Sequence, residues 1–419
     1  MEAKHLQALE LDKILQLLEG FCTFSLGKEL ARRLSPSSRY EEVWRRQKET
    51  GEARHLLSLR PHLSLASATD VRELARQAAK GHVLVPQELR DIATTLGLAR
   101  SIKGLLGALK ERLPVLASLS RGIGELTPLI TQIDEAIDLR GQVKDDASPV
   151  LRQIRKEVKQ AHDRLLAHLE RIASSPVGRK ALQEPIITMR QGRYVLPVRV
   201  EMRHLIPGIV HDLSSSGATV FLEPLEVVDE ANRWRELQLE EEREAERVLR
   251  RLSALVGEEA RAIVKAVLIL ARLDLALAKA RLADHLKAPL PRAGEEPHWL
   301  LPQPSLLRLV DARHPLLGDK AVPISLHLGQ QAGFTVLLIT GPNTGGKTVA
   351  LKTVGLLSSM AQAGLPVPAD AGSCLPVFDG IYADIGDEQS IEQSLSTFSA
   401  HVTNIVSILR SLTPRSLVL

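Results

Sequence analysis

The residues best suited to chemistry lie in one run, "FTVLLITGPNTGGKTVALKTVGLL". The β-forming residues Thr335 to Thr340 lead into Gly341. Gly346, Lys347 and Thr348 follow at the spacing of a phosphate-binding loop, and then comes an amphipathic helix pattern. The glycines let backbone N–H groups turn inward, and the helix N-terminus adds the positive end of its dipole. The pattern predicts that Gly341, Pro342, Asn343, Thr344, Gly345 and Gly346 wrap the phosphates of a nucleotide such as ATP. Lys347 would reach the outer phosphates and Thr348 would hold Mg²⁺.

Hydrolysis needs a second strand that ends in acids, one to hold the metal ion and one to activate water. Ser416 to Leu419 begin an apolar strand after a helix and the turn Thr413 to Arg415, which is the right order. The expectation is that these acids follow Leu419. No catalytic residue is therefore assigned within the chain, and a non-catalytic binding fragment stands as the alternative reading.

The elements around this run divide the chain. Residues 1–148 read as a helical core, with Leu6, Leu9, Ile14, Leu17 and Leu18 at helical spacing. Residues 149–257 read as two long antiparallel helices. Val150, Ile154, Val158, Ala161, Leu165 and Ile172 form one seam, and Ala245, Val248, Leu252 and Leu255 the other. Between them, about 185–224, "IITMRQGRYVLPVRV" gives a hairpin signal at Gly192, and "GIVHDLSSSGATVFLEP" gives two more strands. A helix over 258–290 returns to the core, 291–305 reads as a proline-rich linker, and 306–419 alternates strands with helices as an incomplete α/β domain.

Together these residues resemble the MutS ATPases. The carriers are "ITGPNTGGKT", "DARHPLL" and "STFSAHVTNIVSIL". "ALELDKILQLLEGFCTFSLGKELARRLSP" and "RYVLPVRVEMRHLIPGIVHDLSSSGATVFLEP" are similar to the bacterial type-two branch, which lacks mismatch-reading N-terminal domains and ends in a small nuclease domain. The resemblance implies a helical core, lever arms with a β clamp tip, and an ATPase working as a homodimer with composite nucleotide sites. Asn343 would contact the γ-phosphate in its own subunit and Ser396 that of the partner. Asp387 and Glu388 fall in the acidic loop before "STF", and Arg313 and His314 in the turn near the base. Val322 and Pro323 stand where an adenine-stacking aromatic is common. It also implies branched DNA or stalled ribosomes and their rRNA as partners, and places nuclease activity outside this chain.

Other features bound the reading. Phe398, Val402, Ile405, Leu409 and Leu412 share one helix face, which predicts core. Arg190, Arg193, Arg199 and Arg203 crowd the β insert, with Arg193 and Arg199 on one side by alternation. They suit sequence-independent phosphate contact, and a solvated hairpin fits them equally. His204 and His211 read as surface residues without metal spacing, and "FLE" at Phe221–Glu223 reads as a chance string. The 419 residues carry a net charge of +4, too little to argue for nucleic acid alone. Cys22 and Cys374 give no metal or disulfide pattern, and a reducing cytoplasm fits. The most apolar stretch is broken by Lys265, Arg272, Asp274 and Lys279, so it reads as a buried helix with no membrane role. A mismatch sensor would need a separate domain with a stacking Phe, which no stretch supplies.

Overall fold

A computed structural model describes residues 2–342, 346–385 and 394–419, with backbone alone over 394–400. The chain is mostly helical with a few small sheets. Helices α1 (Ala3–Ala8), α2 (Leu11–Phe21), α3 (Ser25–Arg32), α4 (Tyr40–Leu59), α5 (Arg72–Ala79), α6 (Pro86–Ala108), α7 (Pro114–Ser120) and α8 (Thr127–Ala136) open it. Then come α9 (Pro149–Ser174), α10 (Pro176–Ala181), strands β1 (Thr188–Arg190), β2 (Arg193–Arg199), β3 (Gly208–Leu213) and β4 (Thr219–Pro224), and helices α11 (Val228–Glu258) and α12 (Ala260–His285). The last part holds β5 (Leu300–Leu301), β6 (Leu307–Ala312), β7 (Ile324–Leu328), α13 (Lys347–Gln362), β8 (Leu375–Pro376), β9 (Gly380–Tyr382), α14 (Ser394–Ser411) and β10 (Ser416–Val418). Residues 1–75, 94–127 and 260–419 form one compact unit, and 76–93 with 128–259 form the other. These units cut across the expected boundary at 148.

In the first unit α12 is apolar nearly all round and buried, as the sequence predicts. One of its interrupting charges, Asp274, has structural work. Asp274 accepts the N–H groups of Thr23 and Phe24, each at 3.0 Å, and the Thr23 hydroxyl at 2.8 Å. It thereby caps α3, whose own N-cap residue, Phe24, has no side-chain oxygen. Glu52 on α4 does the same for α7, taking the Leu116 N–H at 2.9 Å. Burial pushes the Glu52 carboxyl up, against the pull of those N–H groups. Leu9, Leu11, Ile14 and Leu18 pack with Leu356, Leu357 and Met360 of α13 in one core.

The proline-rich stretch is packed, not loose. Arg54 Nη1 donates to the carbonyls of Ala288 (3.0 Å) and Pro291 (2.5 Å), Gly294 N–H reaches Gly51 O, and Trp299 joins Tyr40, Val43 and Trp44.

Two sequence expectations fail in this unit. Residues 335–340 form no strand; Val336 and Leu338 are 81% and 83% exposed. A strand needs a ladder partner. The neighbouring β10 pairs in parallel with β9 alone, and a cleft of about 360 Å³, lined by residues that include Thr335, Phe378, Ser416 and Leu417, lies beside it. The apolar face of α14 is likewise no core. Val402, Ile405, Leu409 and Leu412 are exposed and Ile408 is buried instead, while the side chain of Phe398 lies outside the described residues.

In the second unit α9 and α11 run antiparallel, tied by Ser148–Glu244, Arg155–Glu241 and His168–Glu230. α9 buries Leu151, Ala161, Leu165, Leu169 and Ala173, and α11 buries Leu237, Val248, Leu252 and Val256. Val150 is exposed, one position off the expected seam. The insert is a four-stranded antiparallel sheet in the order β1-β2-β4-β3. Gln191 (φ 50) and Gly192 (φ 76) make its first turn, the left-handed pair that suits a two-residue hairpin. Leu196, Val198, Val220 and Leu222 bury one sheet face against Leu165, Leu169 and Ala231.

Candidate functional site

Gly346 (φ 78) is the N-cap of α13 and, as a glycine, supplies no side-chain cap; no acid stands in the first turn. Lys347 Nζ donates back across the loop to Gly341 O at 2.5 Å. Gly341 (φ 144) and Gly346 hold backbone angles open to glycine, and Gly341, Pro342, Gly346 and Thr348 are exposed. A helix start whose glycine N-cap adds no side chain, a cation folded over the loop and an accessible hydroxyl fit a phosphate with its Mg²⁺. Asn343, Thr344 and Gly345 lie outside the described residues, as do Asp387 and Glu388 and the side chains of Ser396 and Thr397. Among the described residues no group of three or more His, Cys, Asp or Glu could hold a metal ion.

The other end of α13 is gripped by residues that motif reading missed. Gln47 Nε2 donates to Ala361 O (2.7 Å) and Leu365 O (2.9 Å), and Thr50 Oγ1 to Gly364 O (2.8 Å). Lys279 Nζ donates to Ala363 O at 3.3 Å. Gln362 is fully buried; its amide donates to Ser37 O and Phe378 O and accepts from Phe378 N–H. The available signal was polar residues at buried helical positions of α4 and α12.

Arg313 braces the segment before β7 through Nη1 to Ala321 O (3.0 Å), leaving Val322 exposed. His314 is 6% exposed and its Nδ1 has no partner. Burial, and to a lesser degree Lys352, push its pKa down, against the pull of Glu10. Glu10 in turn pairs with Lys352 of α13 at 3.4 Å.

In the second unit the four tip arginines divide. Arg193 reaches inward: Nη1 is 3.3 Å from Glu223 and Nη2 donates to Asn232 Oδ1 at 2.7 Å. Glu223, dismissed with its string, is 1% exposed and also takes His211 Nε2 at 2.7 Å, so His211 is not a free surface residue. Arg190 stacks 4.3 Å over the Phe221 ring and pairs with Asp212. Arg199 is half-buried and Arg203 exposed, and neither side chain pairs with a described residue.

Comparison with known proteins agrees with the resemblance drawn from the motifs. Residues 337–419 match MutS domain V. The whole chain is 46% identical over 426 residues to an endonuclease MutS2 of Thermomicrobium roseum, covering 53% of that protein. It is 46% identical over 423 residues to one of a Geobacillus species, covering 53%, and 44% identical over 419 residues to one of Symbiobacterium thermophilum, covering 51%. The chain therefore spans about half the length of the curated relatives it matches. No described helix is long and apolar enough to cross a membrane. The chain is thus similar over its full length to these endonuclease MutS2 proteins, and its glycine-rich loop lies inside the match to MutS domain V.

Proposed function

We propose that this chain is the nucleotide-binding and nucleic-acid-contacting half of a dimeric MutS-type ATPase. The observation that carries the reading is Lys347 folded across a glycine-bounded helix start. The loop from Gly341 to Gly346 would hold the ATP phosphates through its N–H groups, Lys347 would neutralise the outer ones, and Thr348 would ligate Mg²⁺. The ion supplies further charge neutralisation on the phosphates. Arg313 and His314 would shape the base side, and Ser396 would complete the site of a second subunit. The paired helices α9 and α11 would act as a lever arm whose sheet is the clamp tip, with Arg199 and Arg203 free to meet phosphates of branched DNA or rRNA. Arg190 and Arg193 already have protein partners, so they would shape that tip. Suppression of recombination or splitting of stalled ribosomes would be the outcome in the whole protein.

Calorimetry with ATP and Mg²⁺ tests the reading. The parent should bind and Lys347→Ala should lose at least tenfold in affinity, because the change deletes a charge-assisted contact. Equal affinity overturns the site. Phosphate release by the 419-residue chain should stay at background, since no residue within it is assigned to activate water; turnover sensitive to Lys347→Ala would overturn that assignment.

A further inference from the structure

Among the described side chains of helix α14 the holding contacts are chiefly polar. Val402, Ile405, Val406 and Leu409 are between 41% and 63% exposed, with Ile408 buried. Asp384, just past β9, accepts His401 Nδ1 at 3.0 Å on each carboxylate oxygen and Asn404 Nδ2 at 2.8 Å. Its own N–H goes to Leu419 O at 2.9 Å, which ties the carboxylate to the end of the β9–β10 pair. Tyr382 adds one bond, from its hydroxyl to Ser411 O at 2.9 Å. His401 and Asn404 stand three residues apart, so one carboxylate grips two donors on the same helix face. Two directed bonds to one anion fix both the rotation and the rise of a helix, which sliding apolar contact does not. Asp384 also sits at the carboxyl end of a parallel strand, the edge where open α/β sheets place ligands.

We propose that Asp384 is a positioning residue: it latches α14, and so sets the reach of Ser396, in the first turns of that helix, toward a nucleotide held by a second copy of this chain. The proposal rests on the composite-site reading above. Its test is sedimentation velocity with a non-hydrolysable ATP analogue and Mg²⁺, alongside the analogue's affinity measured by anisotropy. Asp384→Ala and His401→Ala should each weaken analogue-driven dimerisation tenfold or more, the loss falling on association and not on affinity within one subunit. His401→Asn, whose amide stands where Nδ1 stood, should restore dimerisation to within threefold. Combining Asp384→Ala with Ser396→Ala should cost no more than either alone. Dimerisation kept in Asp384→Ala but lost in Ser396→Ala overturns the proposal. If the parent does not dimerise with the analogue, the composite site and the reach of Ser396 fall together, while Lys347-dependent binding would still uphold the phosphate loop. Amide exchange then decides the latch: α14 should exchange at least tenfold faster in Asp384→Ala with α13 unchanged, and equal rates refute it.

Discussion

Lys279 should make this protein more stable at high pH, and Lys279→Met should remove the effect. Lys279 is 4% exposed on α12, and burial lowers its pKa from 10.5 to about 8. Glu49 opposes the shift, whereas Arg46 and Arg272 add to it. The folded pKa lies below the unfolded one. The stabilising term is therefore fully present above pH 10.5 and is lost as pH falls through about 8. At 1.36 kcal/mol per decade the loss is about 3 kcal/mol at pH 7. Lys279→Met keeps the stem and discards the charge, giving up one bond of 3.3 Å to Ala363 O, worth about 1 kcal/mol net. The variant should therefore be about 2 kcal/mol more stable than the parent at pH 7. The gap should close, then invert slightly, as pH rises toward 10.5. Urea titrations of both proteins at intervals from pH 7 to 10 measure it, and the difference between them cancels other titrating groups. A variant less stable than the parent at pH 7, or a gap that does not change with pH, would refute the reasoning.

Three further outcomes follow from the geometry. Burial pushes the Cys22 thiol up to about 12, so a thiol reagent at pH 8 should modify half-buried Cys374 and spare Cys22 until urea unfolds the chain; two fast thiols would contradict this. Gly178→Ala would place a Cβ 2.1 Å from Ile172 O and should cost more than about 2 kcal/mol, whereas Gly192→Ala meets no atom within 4 Å and should cost about 1 kcal/mol of backbone strain; equal shifts in urea midpoint would show that the helix end relaxes. Arg199→Gln with Arg203→Gln should flatten the salt dependence of nucleic-acid binding by about 1 to 2 in log–log slope, while Arg193→Gln should lower the melting temperature and leave the slope alone.

The sequence showed most where chemistry is local. A glycine-rich turn with Lys347 and Thr348 needs only its own spacing, and the helix expected after it is there, starting at Lys347. The Gln191–Gly192 hairpin is equally self-contained. What could not be read depends on partners far along the chain. Alternation put Arg193 and Arg199 on one side, but it could not show that Glu223 waits across the sheet for one of them. Prolines in 291–305 signalled a linker, yet Arg54 and Gly51 dock its start onto α4. Apolar residues promised a strand at 335–340 and a core face on α14. Both promises need a neighbouring strand or surface, and no described residue provides one.

The two ends of α13 together suggest how nucleotide state could be felt elsewhere in the first unit. Its N-terminus follows the glycine-rich loop proposed to bind phosphate. Its C-terminal carbonyls are taken by Gln47, Thr50 and Lys279, and Gln362 anchors its last turn to Ser37 and Phe378. A buried acceptor that loses its donor costs about 1–3 kcal/mol. Sliding α13 past α4 and α12 would strand several at once, more than a single change at the loop is expected to supply. Tilting or shifting the helix as a rigid rod, with α4 and α12 following, strands none. A contact made at Lys347 is thus better transmitted to α4 and α12 than absorbed within α13, because the grip is built from directed polar bonds and not from apolar surface that can slip.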